Sequence, residues 1–376
     1  MKIWLYYAKS GGGHKAPAEA LASDLKRLYP GTETKLIDMA DQASVFFRLI
    51  IENGYVLLVQ NLTWIYAVIY TINNSRLVVK LENFLTNLFL KSLIKARLVV
   101  DKPSGVVSTH FLVSPISSAL KDLKMDIPIY IIVTDPFSVS PIWFYNKNLH
   151  YIVYSDAAKQ IALANGVSPE KVVVFHQIVN HPTKILLAEE VAKVKNKYQI
   201  NERKKIILMI GGANGLPKGE KIFELILKNK INAEVVAVCG TNKRQAKNFH
   251  SIKQKYNSEA KIMGWVDNLS ELMGAADLVI TKAGAGVIYE SLLLQKPLLI
   301  THFIFGQEKG TMEFVVKNGL GWYFTDSELI IKKVKDVIDG EDGKKILMAN
   351  EKIKFRSGNE EIVNYLYRSI SEQRLD

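Results

Sequence analysis

Short apolar, β-branched runs that end in a small-residue turn and pass at once into an amphipathic segment recur along the whole chain. That alternation is the sequence form of buried parallel strands feeding helices. Its clearest instance is Leu278-Val279-Ile280-Thr281-Lys282-Ala283-Gly284-Ala285-Gly286-Val287-Ile288-Tyr289-Glu290. The pattern predicts strands at residues 2–8, 35–39, 105–109, 127–133, 149–154 and 171–175, and again at 205–210, 234–240, 262 onward, 278 onward and 297–301. Helical spacing follows most of them. Ala20, Leu21, Leu25 and Leu28 mark a helix over 16–28 with Pro17 in its first turn. Asp156 is placed to cap a helix, and 113–124, 243–256, 327–337 and 350–367 read as others. Two strand–glycine turn–helix openings, at Gly11 and Gly211, predict an α/β chain of two doubly wound, Rossmann-like domains facing a cleft. The N-terminal domain is expected over 1–185 and the C-terminal one over 200–350, with 351–376 as a final helix.

Residues 43–100 break this rhythm. No residue between Glu52 and Arg76 is charged, and Tyr55, Trp64, Tyr66 and Tyr70 fall in that interval. Gln60, Asn61 and Thr63 interrupt it, short of the ~18 apolar residues a spanning helix needs. In the following segment Leu81, Leu85 and Leu88 share a face, while Lys80, Lys91, Lys95 and Arg97 lie off it. Three readings stay open: core helices, a surface lying in lipid headgroups, and a transmembrane span.

Composition narrows the partners. The 376 residues suffice for two cores, and 48% hydrophobic against 23% charged is the balance of a folded protein. A formal net charge of +12 favours a polyanion, either nucleic acid or an anionic membrane. The lysines are dispersed, and no basic stripe is interleaved with stacking aromatics, so the membrane is favoured over nucleic acid. The single Cys239 sits in an apolar run and reads as a core residue in a reducing cytosol. Residues 1–8 read as a strand rather than a signal peptide.

The candidate chemistry divides between the halves. Gly11, Gly12 and Gly13 line a backbone pocket with His14 at its rim, in place to take a proton. Asp135, in Thr134-Asp135-Pro136-Phe137, stands at the carboxyl end of a central strand. In the second half, Gly211 and Gly212, then Gly284 and Gly286, let backbone amides approach an anion. Glu290 could accept hydrogen bonds from a sugar's hydroxyl pair. Gln307 and Glu308 form a polar turn before a helix. Taken singly, these are equally well turns and a solvated histidine. Taken together, the division suits a group transfer between an activated donor and an apolar acceptor. The Walker lysine motif, His/Cys metal spacing and the G-x-S-x-G elbow are missing, which weakens kinase, metalloenzyme and hydrolase readings.

Five motifs in order carry a family resemblance: Ser10 to His14 with the following helix, Thr134 to Phe137, Gly264-Trp265-Val266, Thr281 to Gly284, and Gly306-Gln307-Glu308. With them, residues 1–323 resemble the diacylglycerol glycosyltransferases, that is, the monogalactosyldiacylglycerol synthases and processive diacylglucosyl transferases. These are related to the lipid-intermediate N-acetylglucosaminyltransferase of cell-wall synthesis. The resemblance implies a metal-independent inverting enzyme of the B-type fold whose last helix returns to the N-terminal domain. It would move glucose or galactose from a UDP-sugar to diacylglycerol, without a cofactor, as a peripheral protein on the cytoplasmic face of the membrane. A polyprenyl-linked cell-wall intermediate is the alternative acceptor. By motif, Gly211, Gly212 and Gly284 would lie by the diphosphate, Trp265 and Val266 by uracil, Glu290 by the ribose, and Gln307 and Glu308 by the hexose. Gly12 and Gly13 would form the acceptor-side loop. His14 would be the base, with Asp135 its orienting partner or the base itself. Lys309-Gly310-Thr311, Ala285 and Tyr289 depart from the family's usual residues and bear on the sugar.

Overall fold

The structure, a computed structural model, describes residues 1–9, 12–39, 76–180 and 183–373. Ser10, Gly11, and residues 43–75 with Tyr55, Trp64, Tyr66 and Tyr70 lie outside the described residues. The chain divides into two compact units. One comprises Met1–Asn180, Phe305–Gln307 and Ser357–Asp376, and the other His181–Ile304 and Glu308–Arg356.

The first unit runs β1 (Lys2–Tyr7), α1 (Gly12–Leu28), β2 (Glu33–Asp38), α2 (Arg76–Asp101), β3 (Gly105–Ser108), α3 (Ser114–Leu123), β4 (Ile129–Ile132), β5 (His150–Val153), α4 (Asp156–Ala164) and β6 (Val172–Val174). Its six strands are parallel, in the order β2-β1-β3-β4-β5-β6. Strand alternation splits the core into two layers. Ile3, Leu5 and Tyr7 of β1 pack with Ala18, Leu21 and Leu25 of α1, while Trp4 and Tyr6 face the layer of Leu90, Ile94 and Leu98 from α2. Helices therefore cover both sheet faces, as a continuous apolar strand requires.

The second unit runs α5 (Ala188–Lys197), β7 (Lys205–Ile210), α6 (Gly219–Lys228), β8 (Ala233–Val238), α7 (Lys243–Lys255), β9 (Lys261–Met263), α8 (Leu269–Ala275), β10 (Leu278–Lys282), α9 (Ala285–Leu293), β11 (Leu298–His302), α10 (Lys309–Lys317), β12 (Gly321–Tyr323), α11 (Ser327–Ile338) and α12 (Asp342–Ile353). Its sheet, also parallel, has the order β12-β11-β10-β7-β8-β9. Ile206, Leu208 and Ile210 face one apolar layer, and Ile207 and Met209 the other. The expected doubly wound α/β architecture is present in both units.

The last helix, α13 (Asn359–Glu372), belongs to the first unit. It buries Ile362, Val363, Leu366 and Ile370 in the layer that holds Ile3 and Leu5, each worth roughly 1.5–3 kcal/mol of transfer free energy. Gly358 caps it at a position where a Cβ would stand 1.8 Å from the His176 carbonyl oxygen. Gly105 on β3 leaves room for Ile370 in the same way.

Three local expectations are corrected. Helix α1 opens at Gly12, so Pro17 lies in its second turn and cannot donate to the Gly13 carbonyl. Ser155, not Asp156, caps α4, its hydroxyl accepting from Ala158 N at 3.0 Å. The tail helix expected over 350–367 is interrupted: α12 ends at Lys354, which is left-handed at φ 52°, and α13 starts only at Asn359.

Helix α2 bears on the readings of 43–100. Val79, Leu90, Ile94 and Leu98 are buried, whereas Leu81, Phe84, Leu85, Leu88 and Phe89 are each between 40% and 64% exposed. One face is core and the other carries partly exposed apolar side chains. No helix among the described residues is long and apolar enough to cross a membrane.

Candidate active site

In the first sheet β1 leads to β2 on one side and neighbours β3 on the other, so the order reverses between β1 and β3. A doubly wound sheet opens its ligand crevice at such a point, beyond the carboxyl ends of the strands. The first turn of α1 brings His14 there, the chain after β3 brings Thr109 and His110, and the chain after β4 brings Thr134 and Asp135.

His14 is buried rather than standing solvated at a rim. Its Nδ1 lies 2.7 Å from the Thr109 carbonyl oxygen and 3.2 Å from Thr134 Oγ1, and Thr109 Oγ1 donates back to the His14 carbonyl at 2.7 Å. A carbonyl only accepts, so Nδ1 carries the hydrogen and the Nε2 lone pair is the one able to take a proton. Burial lowers the imidazole pKa to about 4, opposed by the Thr109 hydrogen bond, and the ring is neutral at physiological pH.

Asp135 occupies the neighbouring strand end with other partners. Trp143 Nε1 donates to its Oδ2 at 3.0 Å, and Gln307 Nε2 to its Oδ1 at 3.2 Å. The Nδ1 of His14 is therefore oriented by the Thr109 carbonyl, where the sequence suggested Asp135. Gly12 and Gly13 form the exposed first turn of α1, and a Cβ on Gly13 would meet nothing within 4 Å.

His110 escaped the sequence reading. It is buried, and its ring meets His14 edge to face at 4.8 Å. The available signal was its place just after an apolar strand, the same signal that singled out Asp135. Trp143, seen in the sequence only as part of an aromatic loop, lies 6.0 Å from the His14 ring.

In the second sheet the order reverses between β7 and β10. Beyond β7, Gly211 has no room for a side chain, since a Cβ would stand 2.1 Å from the Gly215 carbonyl oxygen. Gly212 and Gly215 both have φ +80°, a conformation that favours glycine. The buried Gln245 fixes the turn by accepting from Leu216 N at 2.9 Å and donating to Leu216 O at 2.7 Å. Beyond β10, Gly284 caps α9, and a Cβ on Gly286 would meet only open space. Glu290 is buried in the second turn of that helix.

Glu308 is engaged within its own unit. Its Oε1 pairs with the Lys282 ammonium, and its Oε2 accepts from Ile304 N at 2.9 Å. The pair braces the turn beside α9, and a Gly284 Cβ would stand 3.1 Å from Lys282 Nζ. Lys282 was not among the residues picked from the sequence. Burial holds the neighbouring His302 below its usual pKa, against Glu308, with Lys282 and Lys218 adding to the lowering. The adjacent Gln307 falls with the first unit. Trp265 is exposed beyond the edge strand β9, its Nε1 donating to Asp267 Oδ1 at 3.1 Å, with Val266 beside it half-buried. Cys239 is buried, its thiol pushed up to about 11 by burial. Among the described residues no group of His, Cys, Asp and Glu could hold a metal ion.

Two family models match this chain. Residues 14–176 match the monogalactosyldiacylglycerol (MGDG) synthase model, and residues 189–364 the glycosyltransferase family 28 C-terminal domain. A processive diacylglycerol beta-glucosyltransferase of Bacillus cereus is 29% identical over 71% of this chain and 67% of its own length. A glycosyltransferase from Rickettsia africae shares the fold at TM-score 0.60 and 18% identity, covering 99% of this chain and 98% of that one. Medicago truncatula UGT71G1, solved with UDP-glucose, does so at TM-score 0.61 and 15% identity, with 98% of each chain covered. The chain thus carries a match to the MGDG synthase model followed by one to the family 28 C-terminal domain, on a B-type fold, and resembles the diacylglycerol glycosyltransferases.

Proposed function

We propose that the protein transfers a hexose from a UDP-sugar to the hydroxyl of diacylglycerol at an anionic membrane surface, with inversion to a β-glycoside. The observation that carries this reading is His14: a buried neutral imidazole at the strand switch point, its Nδ1–H committed to the Thr109 carbonyl. The acceptor hydroxyl would give its proton to His14 Nε2 as its oxygen bonds to the sugar's anomeric carbon. In the same step the bond from that carbon to the donor phosphate oxygen breaks on the opposite face, and UDP leaves with the electron pair.

Donor binding is assigned to groups of the second unit and to Gln307. The amides of the Gly211–Gly215 turn and of the first turn of α9 would bear the leaving diphosphate without a metal. Glu290 would hold the ribose, Trp265 and Val266 the uracil, and Gln307 with Glu308 the hexose. The structure solved with UDP-glucose supports a nucleotide-sugar donor, and the relative's name supports diacylglycerol and favours glucose over galactose. The exposed face of α2 suits a protein that sits peripherally on the cytoplasmic face of the membrane.

The test is incubation of the full chain with radiolabelled UDP-glucose or UDP-galactose and diacylglycerol in anionic liposomes. A labelled β-glycolipid is expected from one donor. Label only in an added polyprenyl-diphosphate sugar would move the acceptor to the cell-wall class, and no lipid product at all would reject the reading.

A further inference from the structure

We propose that His110 is a positioning residue for the proton transfer: it walls the His14 ring and stays uncharged, so the pair binds at most one proton and binds it on His14. The chemistry rests on the transfer reading above, but the geometry stands without it.

The two rings are fixed in opposite tautomers. His14 Nδ1 faces a carbonyl and carries a hydrogen, whereas His110 Nδ1 accepts from Leu112 N at 3.2 Å and carries the lone pair. A proton arriving at His14 Nε2 leaves its Thr109 bond intact. A proton arriving at His110 must go to Nδ1, where it would face the Leu112 N–H and break that bond. It would also set a cation 4.8 Å from the His14 ring, among buried side chains where charge is costly.

His110 is held rigidly for this role. Ser108 Oγ donates to the His110 carbonyl at 2.6 Å and accepts from its N–H at 3.1 Å. Its ring stacks on Phe111 at 4.3 Å, and Phe111 in turn meets Trp143 edge to face at 5.7 Å. His14 thus stands between His110 and Trp143. The other charged groups at these strand and helix ends have partners of their own. Asp135 holds Trp143 and Gln307, Lys9 pairs with Asp38 at 2.8 Å, and Lys15 pairs with Glu19 at 3.1 Å. Burial and the nearby His14 both hold the His110 pKa well below its ordinary value.

Two variants separate the ring from the acceptor. His110→Asn keeps an acceptor for Leu112 N but removes the aromatic wall; His110→Phe keeps the wall but removes the acceptor. Histidine ring resonances of the full chain, followed by NMR from pH 8 to 4.5, should show neither His14 nor His110 titrating above pH 5 in the wild type. His110→Asn should raise the His14 pKa by a pH unit or more, a tenfold change in its proton affinity, and move the acid limb of kcat/KM with it. His110→Phe should leave the His14 pKa nearly in place. UDP affinity, unchanged in both, checks the fold, and His110→Gln replaces either variant that does not fold. An unmoved His14 titration in His110→Asn, or a wild-type His110 that protonates before His14, would overturn the proposal. The NMR comparison decides it even if no lipid is glycosylated, so its failure is distinct from failure of the transfer reading.

Discussion

The two units share one architecture but finish their strand switch points with opposite materials. In the first, side chains finish the strand ends: His14, His110 and Thr134 are buried, Asp135 is half-buried, and hydrogen bonds fix the tautomers of the two imidazoles. In the second, backbone does so, in a turn where Gly211 has no room for a Cβ and Gly212 and Gly215 are left-handed. Proton transfer needs a group whose pKa and orientation are set, which takes burial and a fixed partner. Binding a diphosphate needs several amides at close range, which takes the removal of side chains. On the proposed reading, the same fold would serve both by changing only the residues that follow its strands.

The contrast can be broken at either end. His14→Ala should lower kcat by about 10²–10⁴-fold, the span of a lost general base, with UDP affinity measured by calorimetry left unchanged. Gly211→Val should do the reverse. Its Cβ would run into the backbone of Gly215, so UDP affinity should fall at least tenfold, while the NMR titration of His14 stays as in the wild type. Equal loss of UDP binding in both variants would erase the distinction between the units.

Acid sharpens it further. His14 has a folded pKa of about 4 against an ordinary 6.5, so the unfolded chain takes up a proton that the native state resists. The associated stability is complete above pH 6.5 and is lost as pH falls towards 4, amounting to roughly 3 kcal/mol at about 1.4 kcal/mol per pH unit. Denaturant titrations at pH 7 and 4.5 should show a loss of at least that size, and His14→Asn should reduce it by His14's share, leaving the part owed to other depressed histidines such as His110 and His302. A smaller effect is expected from α2, where replacing Leu81, Phe84 and Leu88 by Ser should weaken binding to anionic vesicles in a flotation assay without changing UDP affinity. Unaltered vesicle binding would leave that face with no membrane role.

Much of the fold could be read from local pattern. Continuous apolar runs, glycine turns and segments of 3.6-residue period follow one another along the chain, and each is set by local backbone geometry. Where local signals competed, the reading slipped. The glycines after β1 signal a loop, whereas α1 winds from Gly12. The tail was read as one helix because its apolar spacing continues through the left-handed residue Lys354. The site was legible as residue types rather than as partnerships. His14 and Asp135 stood out at strand ends, but the contact that orients His14 spans 95 residues of sequence, and the one that occupies Asp135 through Gln307 spans 172. Glu308 stood out by its polar turn, but its pairing with Lys282 at the end of β10 depends on a contact across 26 residues of sequence.

The sequence by itself determined the α/β architecture, the two strand–glycine–helix openings and the family resemblance, because each depends on residues that are neighbours in the chain. Only the tertiary structure decided which nitrogen of His14 is free, that His110 stands against it, and that Gly358 lets α13 close over the first sheet. Protonation and packing depend on what surrounds an atom in space. That surrounding is assembled from segments the chain itself keeps far apart.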